Sequence, residues 1–185
     1  LGDVYKRQDI SFELFEYGSI RAANMVQEGK LDLALVNMHF YEIDKLNSFT
    51  VMNDKIVFCV SKSHPLAKCH EVTIEMIKNE PLIMYNTDSV QNETLDTAFK
   101  RAGVNPNVIL HASQLYTIRN FICNNLGGAF LYSSLQKNLS GTTGIPISPV
   151  INQNIGIVWK KGSYTTDSAE TVSYTHLRAH ETPEH

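Results

Sequence analysis

The chain is predicted to be an α/β protein, on three observations. Ile56-Val57-Phe58-Cys59-Val60 is an unbroken apolar run, with the length and β-branched content of a strand covered on both faces. Strand-like and helix-like stretches alternate along nearly the whole chain without any internal repeat. Helical stretches open on Ser or Thr and close on glycine, at Gly29 and Gly103, the punctuation of short helices set between strands.

Taken in order, residues 10–16 (I-S-F-E-L-F-E) alternate apolar and polar and predict a strand. Ser19 is an N-cap candidate for a helix over residues 20–28, which Gly29 ends. Residues 31–36 (L-D-L-A-L-V) form the next strand, so this segment is a βαβ unit with parallel strands and a right-handed crossover. Residues 37–50 look irregular, and residues 51–55 lead into the apolar run. That run stops at Ser63-His64-Pro65, because proline donates no hydrogen bond and disfavours helix at His64. Thr73 opens a short helix over 73–78, and residues 81–85 form a strand. Asn86-Thr87-Asp88-Ser89 clusters capping residues before a helix over 90–102. Residues 107–111 form a strand, and Ser113 caps a helix from 114 to about 124, with Leu115, Ile118, Ile122 and Leu126 at helical spacing. After Gly127-Gly128 the chain enters a strand to Leu131, and Ser133 or Ser134 starts a short helix to Asn138. Residues 141–149 form a loop or a crossing, 155–161 (I-G-I-V-W-K-K) the last strand, and a closing helix begins near Asp167 or Ser168. The alternation implies two parallel-rich sheets.

Composition narrows the function. The 185 residues are 43% apolar with a net charge of −3, which suits a soluble globular protein and not a nucleic-acid-binding surface. No apolar run is long enough to span a membrane. Three cysteines at unrelated spacings, with Cys59 and Cys123 inside apolar segments, point to a reducing compartment. Residues 1–8 and 172–185 are similar to translated sequencing-adapter read-through and are expected to add nothing to the core.

The order of the short motifs resembles the effector-sensing, or substrate-binding, domain of bacterial LysR-type transcriptional regulators. The carriers are E-x-G-S at residues 16–19, G-K-L-D-L-A-L at 29–35, S-x-S-H-P-L-A at 61–67, G-G-x-x-L at 127–131 and the final I-x-I-V-W-K-K. The resemblance implies a type II periplasmic-binding-protein-like fold, two Rossmann-like lobes joined by two crossing strands. Residues 9–52 and 147–171 would make the first lobe and residues 53–146 the second, with crossings near 51–55 and 144–149. It also implies an effector site at Asn37, Met38 and His39 in the first lobe and at Thr87, Ser89, Ser113, Gln114 and Gly128 in the second. Further implications are a cytoplasmic location, no enzymatic activity and no cofactor. Homo-oligomers of the parent would form through the helices over 20–28 and 114–124. In that family a strand, a helix and, before them, a winged helix-turn-helix precede the first motif. DNA would therefore be met only through a module outside this chain, and the pocket here would lack one side.

The residues themselves suggest how a ligand is held. Helix N-termini carry unpaired N–H groups and a positive dipole end, and those near Ser89 and Ser113 follow strand ends, where open α/β sheets bind ligands. With few basic residues nearby, a small organic anion, a carboxylate, held by neutral donors is the expected effector. No dinucleotide, phosphate-loop or hydrolase signature is present. His64, Cys69 and His70 lack the ligand spacing of a structural zinc site, and His111 beside Ser113 lacks the third group of a catalytic set. Two other readings share the fold: a secreted solute-binding protein, and a prephenate-dehydratase-like domain. The Thr-Arg-Phe motif of the latter is absent.

Overall fold

The computed structural model describes residues 13–39, 43–87 and 89–162. Its elements are α1 (Ser19–Gln27), β1 (Leu33–Asn37), β2 (Leu46–Ser61), β3 (Leu82–Met84), α2 (Val90–Arg101), β4 (Val108–His111), α3 (Leu115–Cys123), β5 (Gly128–Tyr132), α4 (Ser133–Gln136), β6 (Thr142–Pro146) and β7 (Asn152–Lys160). The strands follow the order β1-β7-β2-β5-β3-β4, with β6 also paired to β2. Among the described residues no helix is long and apolar enough to cross a membrane.

β2 ties the sheet together. Residues 46–55 pair antiparallel with β7, and residues 56–61 pair with β5 and β6. A register shift between Thr50 and Met52 leaves Val51 as the extra residue of a β-bulge, a device that bends and twists its strand. Residues 56–61 are buried throughout, as an apolar run paired on both edges and covered on both faces must be.

The side chains of those residues divide between two layers. Ile56, Phe58 and Val60 join Leu95 and Phe99 of α2, Phe130 of β5, and Val72 and Ile77. The Phe130 ring meets Phe99 edge-on at 5.9 Å. On the opposite face Cys59 packs with Ile83, Leu131 and the Ile118–Ile122 stripe of α3. A third cluster seats α1 on β1 and β7 through Ala22, Ala23, Val26, Val36 and Val158. Each fully buried aliphatic or Phe side chain contributes about 1.5–3 kcal/mol, so most of the apolar stabilisation lies around the second half of β2. α1 ends as expected: Gly29 has φ 74°, and the Gly29 and Lys30 amides donate to the carbonyls of Val26 and Met25, which closes the last turn.

Several expectations are corrected. Of the strand expected over 10–16, residues 10–12 lie outside the described residues and 13–16 carry no strand, with Leu14 99% exposed; among the described residues β1 pairs only with β7, antiparallel. Among the described residues parallel pairing is confined to β3 with β4 and β5, plus a Val72–Ile147 bridge, so the described sheet is less parallel than the alternation implied. Residues 46–50 already belong to β2, because β7 supplies a partner that periodicity could not reveal. Residues 142–146 form β6 instead of a loop. Thr73 Oγ1 accepts from the Met76 amide as a cap would, but residues 74–79 stay hydrogen-bonded turns. Ser19 is the first helical residue, with Gly18 the N-cap, and its hydroxyl is used elsewhere. Leu126, expected in the α3 stripe, is exposed beyond the helix end. The expected closing helix, the two chain ends and Asp88 lie outside the described residues.

Two outcomes follow. A Cβ at Gly128 would sit 2.3 Å from Cζ of the fully buried Phe58 ring, so Gly128→Ala should cost about 1–3 kcal/mol in urea denaturation; an unchanged midpoint would show that the ring can yield. Burial pushes the Cys59 thiol from 9.0 up to about 11, against a hydrogen bond with Thr142 that lowers it and Cys123 that adds to the rise. A raised folded-state value leaves the stability intact below the unfolded thiol's range and removes it as pH climbs through the folded one. Between about pH 9 and 11 the chain should therefore lose up to roughly 2–3 kcal/mol that Cys59→Ala does not lose.

Candidate functional site

The site is built from strand ends. β3, β4 and β5 run parallel, so Met84, His111 and Tyr132 finish at the same edge. Asn37, the last residue of β1, reaches that edge from the other part of the sheet. Its Nδ2 donates to Tyr132 Oη at 2.9 Å and to Gln153 Oε1 at 2.5 Å, and its Oδ1 accepts from the His39 amide at 3.0 Å. The Asn37 amide donates to Ser19 Oγ at 3.0 Å. Both donors and the acceptor of this buried side chain are thus occupied.

The surrounding groups are fixed with it. Gln153, fully buried, donates to the Asn152 carbonyl at 2.7 Å and lies 3.3 Å from His39 Nδ1. With Nδ1 as the acceptor, His39 carries its proton on Nε2. Burial first, and the Tyr132 phenol next, push the Tyr85 hydroxyl up to about 12, so it stays a donor at neutral pH. Burial likewise raises Tyr132, partly offset by the Asn37 hydrogen bond and reinforced by Asp54. Asp54, halfway along β2, accepts from the Ser134 amide at 3.2 Å and from its hydroxyl at 2.5 Å, which ties the start of α4 to the crossing strand.

The eight residues singled out in the sequence divide into three groups. Ser89 caps α2, its Oγ accepting from the Asn92 amide at 3.1 Å, and Thr87 is exposed just before it. Ser113 does not cap α3: the N-cap is Gln114, which makes no side-chain capping bond, and Ser113 stands one residue too early to reach the first free amides. These four, with Asn37, follow or end strands at the shared edge. Gly128 begins β5, at the opposite end of the strand from Tyr132, beneath Phe58.

Met38 and His39 line a cleft of about 860 Å³, together with Thr94, Ala98 and Arg101 of α2 and residues 147–152. Reading the sequence overlooked Ser19, Tyr85, Tyr132 and Gln153. Tyr85 and Tyr132 were legible as polar residues following apolar strands; nothing marks Gln153 within I-N-Q-N.

Among the described residues no group of three or more His, Cys, Asp or Glu side chains could hold a metal ion. His64 accepts from the Leu66 amide through Nδ1, and its Nε2 lies 3.3 Å from Glu80. His111 Nδ1 donates to the Tyr85 carbonyl at 3.0 Å, so that ring orders the β3 end.

Comparison with known proteins bears on the fold and the family. The profile described as the LysR substrate binding domain matches residues 6–175. The uncharacterized HTH-type transcriptional regulator YwbI of Bacillus subtilis is 31% identical over 173 residues, covering 91% of this chain and 57% of that protein. The chain thus spans little more than half the length of that relative. Among solved structures, the effector binding domain of QuiR in complex with shikimate superposes with a TM-score of 0.80 at 17% identity, covering 95% of this chain and 84% of that one. The Synechocystis PCC6803 CcmR regulatory domain in complex with 2-PG gives a TM-score of 0.79 at 20% identity, covering 90% and 82%.

Replacing Asn37 tests the polar junction. Asn37→Ala strips Tyr132 Oη and Gln153 Oε1 of their donor, and an orphaned buried polar group costs about 1–3 kcal/mol. Chemical denaturation of Asn37→Ala should show a loss of that size, and a variant as stable as the parent would mean that water replaces the amide freely.

Proposed function

The chain belongs to the LysR substrate-binding domain family, and on that premise we propose that it senses a small organic anion for a transcriptional regulator. Its fold is that of LysR effector-binding domains, of the type II periplasmic-binding-protein-like kind. The anion, a carboxylate, would lie in the crevice where the end of β1 meets the ends of β3, β4 and β5. The observation that carries this reading is the Asn37–Tyr132 hydrogen bond, which brings strand ends from both parts of the sheet to one place.

In this reading Asn37 organises the crevice, while Thr87, Ser89, Ser113 and Gln114 offer neutral donors from the second lobe. The Ser89 oxygen already accepts from Asn92, which leaves its O–H free to donate outward. Gly128 keeps a packing role. Met38 and His39 border the crevice on the side of the neighbouring cleft. The lobes would be residues 9–52 with 147–171, and residues 53–146, hinged where β2 changes partners and along residues 147–151. Closure around the anion would shift the population of lobe angles, and a DNA-binding module in the rest of the regulator would read that shift. The protein would act in the cytoplasm, by binding and not by catalysis, and pair with a second copy through α1 and α3. Support for the ligand class comes from two relatives described with shikimate and 2-PG bound.

In the full-length regulator, Ser89→Ala and Ser113→Ala should each weaken the effector response, read as reporter expression against carboxylate concentration. Ser89→Ala should also lose about 1 kcal/mol of stability as an N-cap, and Ser113→Ala close to none. If both variants respond normally while changes at Asn37 or His39 abolish the response, the second-lobe anion site is wrong.

A further inference from the structure

The cleft beside the crevice has a chemistry of its own. It runs along the flank of α2, past Thr94, Ala98 and Arg101, and so lies one to three turns from the helix start at Ser89. At about 860 Å³ it has the capacity of a small-molecule pocket. Its walls mix aliphatic side chains, among them Ala98 and Ala102 of α2 and Ile151 and Val150 of the returning chain, with polar ones, and Val150 is 57% exposed. Two donors stand in these walls. The Arg101 side chain makes no ion pair or hydrogen bond among the described residues, and the His39 imidazole stands in the same lining. Glu75 shares the lining, solvent-exposed and unpaired with Arg101 among the described residues.

We propose that this flank cleft is a second ligand site, separate from the strand-end crevice, that takes an amphipathic monocarboxylate. A guanidinium binds a carboxylate through two parallel N–H donors, and the aliphatic walls would bury an aryl or alkyl body. Glu75 sets the charge limit: a second carboxylate on the ligand would lie against it, so monoanions are preferred to dianions. The site shares Met38, His39 and residues 147–151 with the proposed crevice and hinge, but its anion donor, Arg101, takes no part in either, so the Arg101→Gln result tests it separately.

The test is isothermal titration calorimetry of the intact chain with 4-phenylbutyrate, 4-phenylbutanol and phenylsuccinate, with folding checked by circular dichroism. Saturable binding of 4-phenylbutyrate is expected, with the alcohol and the dianion each about tenfold weaker or more. Arg101→Gln should weaken the acid by a similar factor and leave the alcohol unchanged. Lys100→Gln, which removes a neighbouring charge outside the cleft lining, should change neither. Val150→Trp, which fills the cleft from a half-exposed position, should abolish both. The proposal is overturned by the absence of saturable millimolar binding, by equal affinity for acid and alcohol, by an Arg101→Gln variant that binds as the parent does, or by a Val150→Trp variant that keeps its ligand.

Discussion

The structure depends on one backbone requirement: every peptide group of a buried strand needs a partner. β2 meets it with different neighbours along its length, β7 for its first ten residues and β5 with β6 for the rest. Exposure changes at the same point, from partial exposure before Ile56 to complete burial after it. One continuous strand therefore belongs to two differently covered sheets. A flexible linker between them would leave their relative placement to side chains alone; a strand hydrogen-bonded at both ends restricts it to bending and twisting.

The polar junction makes that placement more specific. Apolar surfaces are non-directional and tolerate sliding. Asn37, Tyr132 and Gln153 do not, because the donors of the buried Asn37 side chain are matched to Tyr132 Oη and Gln153 Oε1, and Gln153 donates in turn to the Asn152 carbonyl. Asp54 with Ser134 adds a second link, from the crossing strand to the end of β5. Any change in the angle between the two parts of the sheet must preserve these bonds or exchange them for others. A ligand that supplies replacement partners at the strand ends would thus alter the angle directly, without any signal having to travel through a core.

Much of this was legible in the sequence, because local chemistry determined it. Gly29 and Gly103 stop their helices with positive φ, Ser89 caps α2, and the 56–60 run is buried. The misses share a cause. Residues 46–50 and 142–146 are strands only because β7 and β2 run beside them, in the first case a contact between segments more than a hundred residues apart. Residues 13–16 show the converse, an alternating pattern that has no strand paired to it among the described residues. At the site, Ser89 was readable from its position before a helical stretch, while Gln153 acquires its role only through Asn37, which lies 116 residues away in the chain. The flank cleft was unreadable for the same reason, since Arg101 and His39 have no sequence relation.

The bulge at Val51 has a consequence for the whole strand. Before it, half-buried Asn47, Phe49 and Val51 alternate with exposed Ser48, Thr50 and Met52; after it, half-buried Asp54 stands between exposed Asn53 and Lys55. The extra residue shifts the strand's phase, so that the half-buried positions are odd-numbered on one side of it and even-numbered on the other, with the even-numbered Leu46 buried against α1 at the strand's start. Asp54 reaches Ser134, and Ile56 and Phe58 reach α2, in this inverted phase. A single residue of chain length thus decides which face of β2 serves the second half of the molecule. Removing it would present the wrong face there even though every other residue were kept.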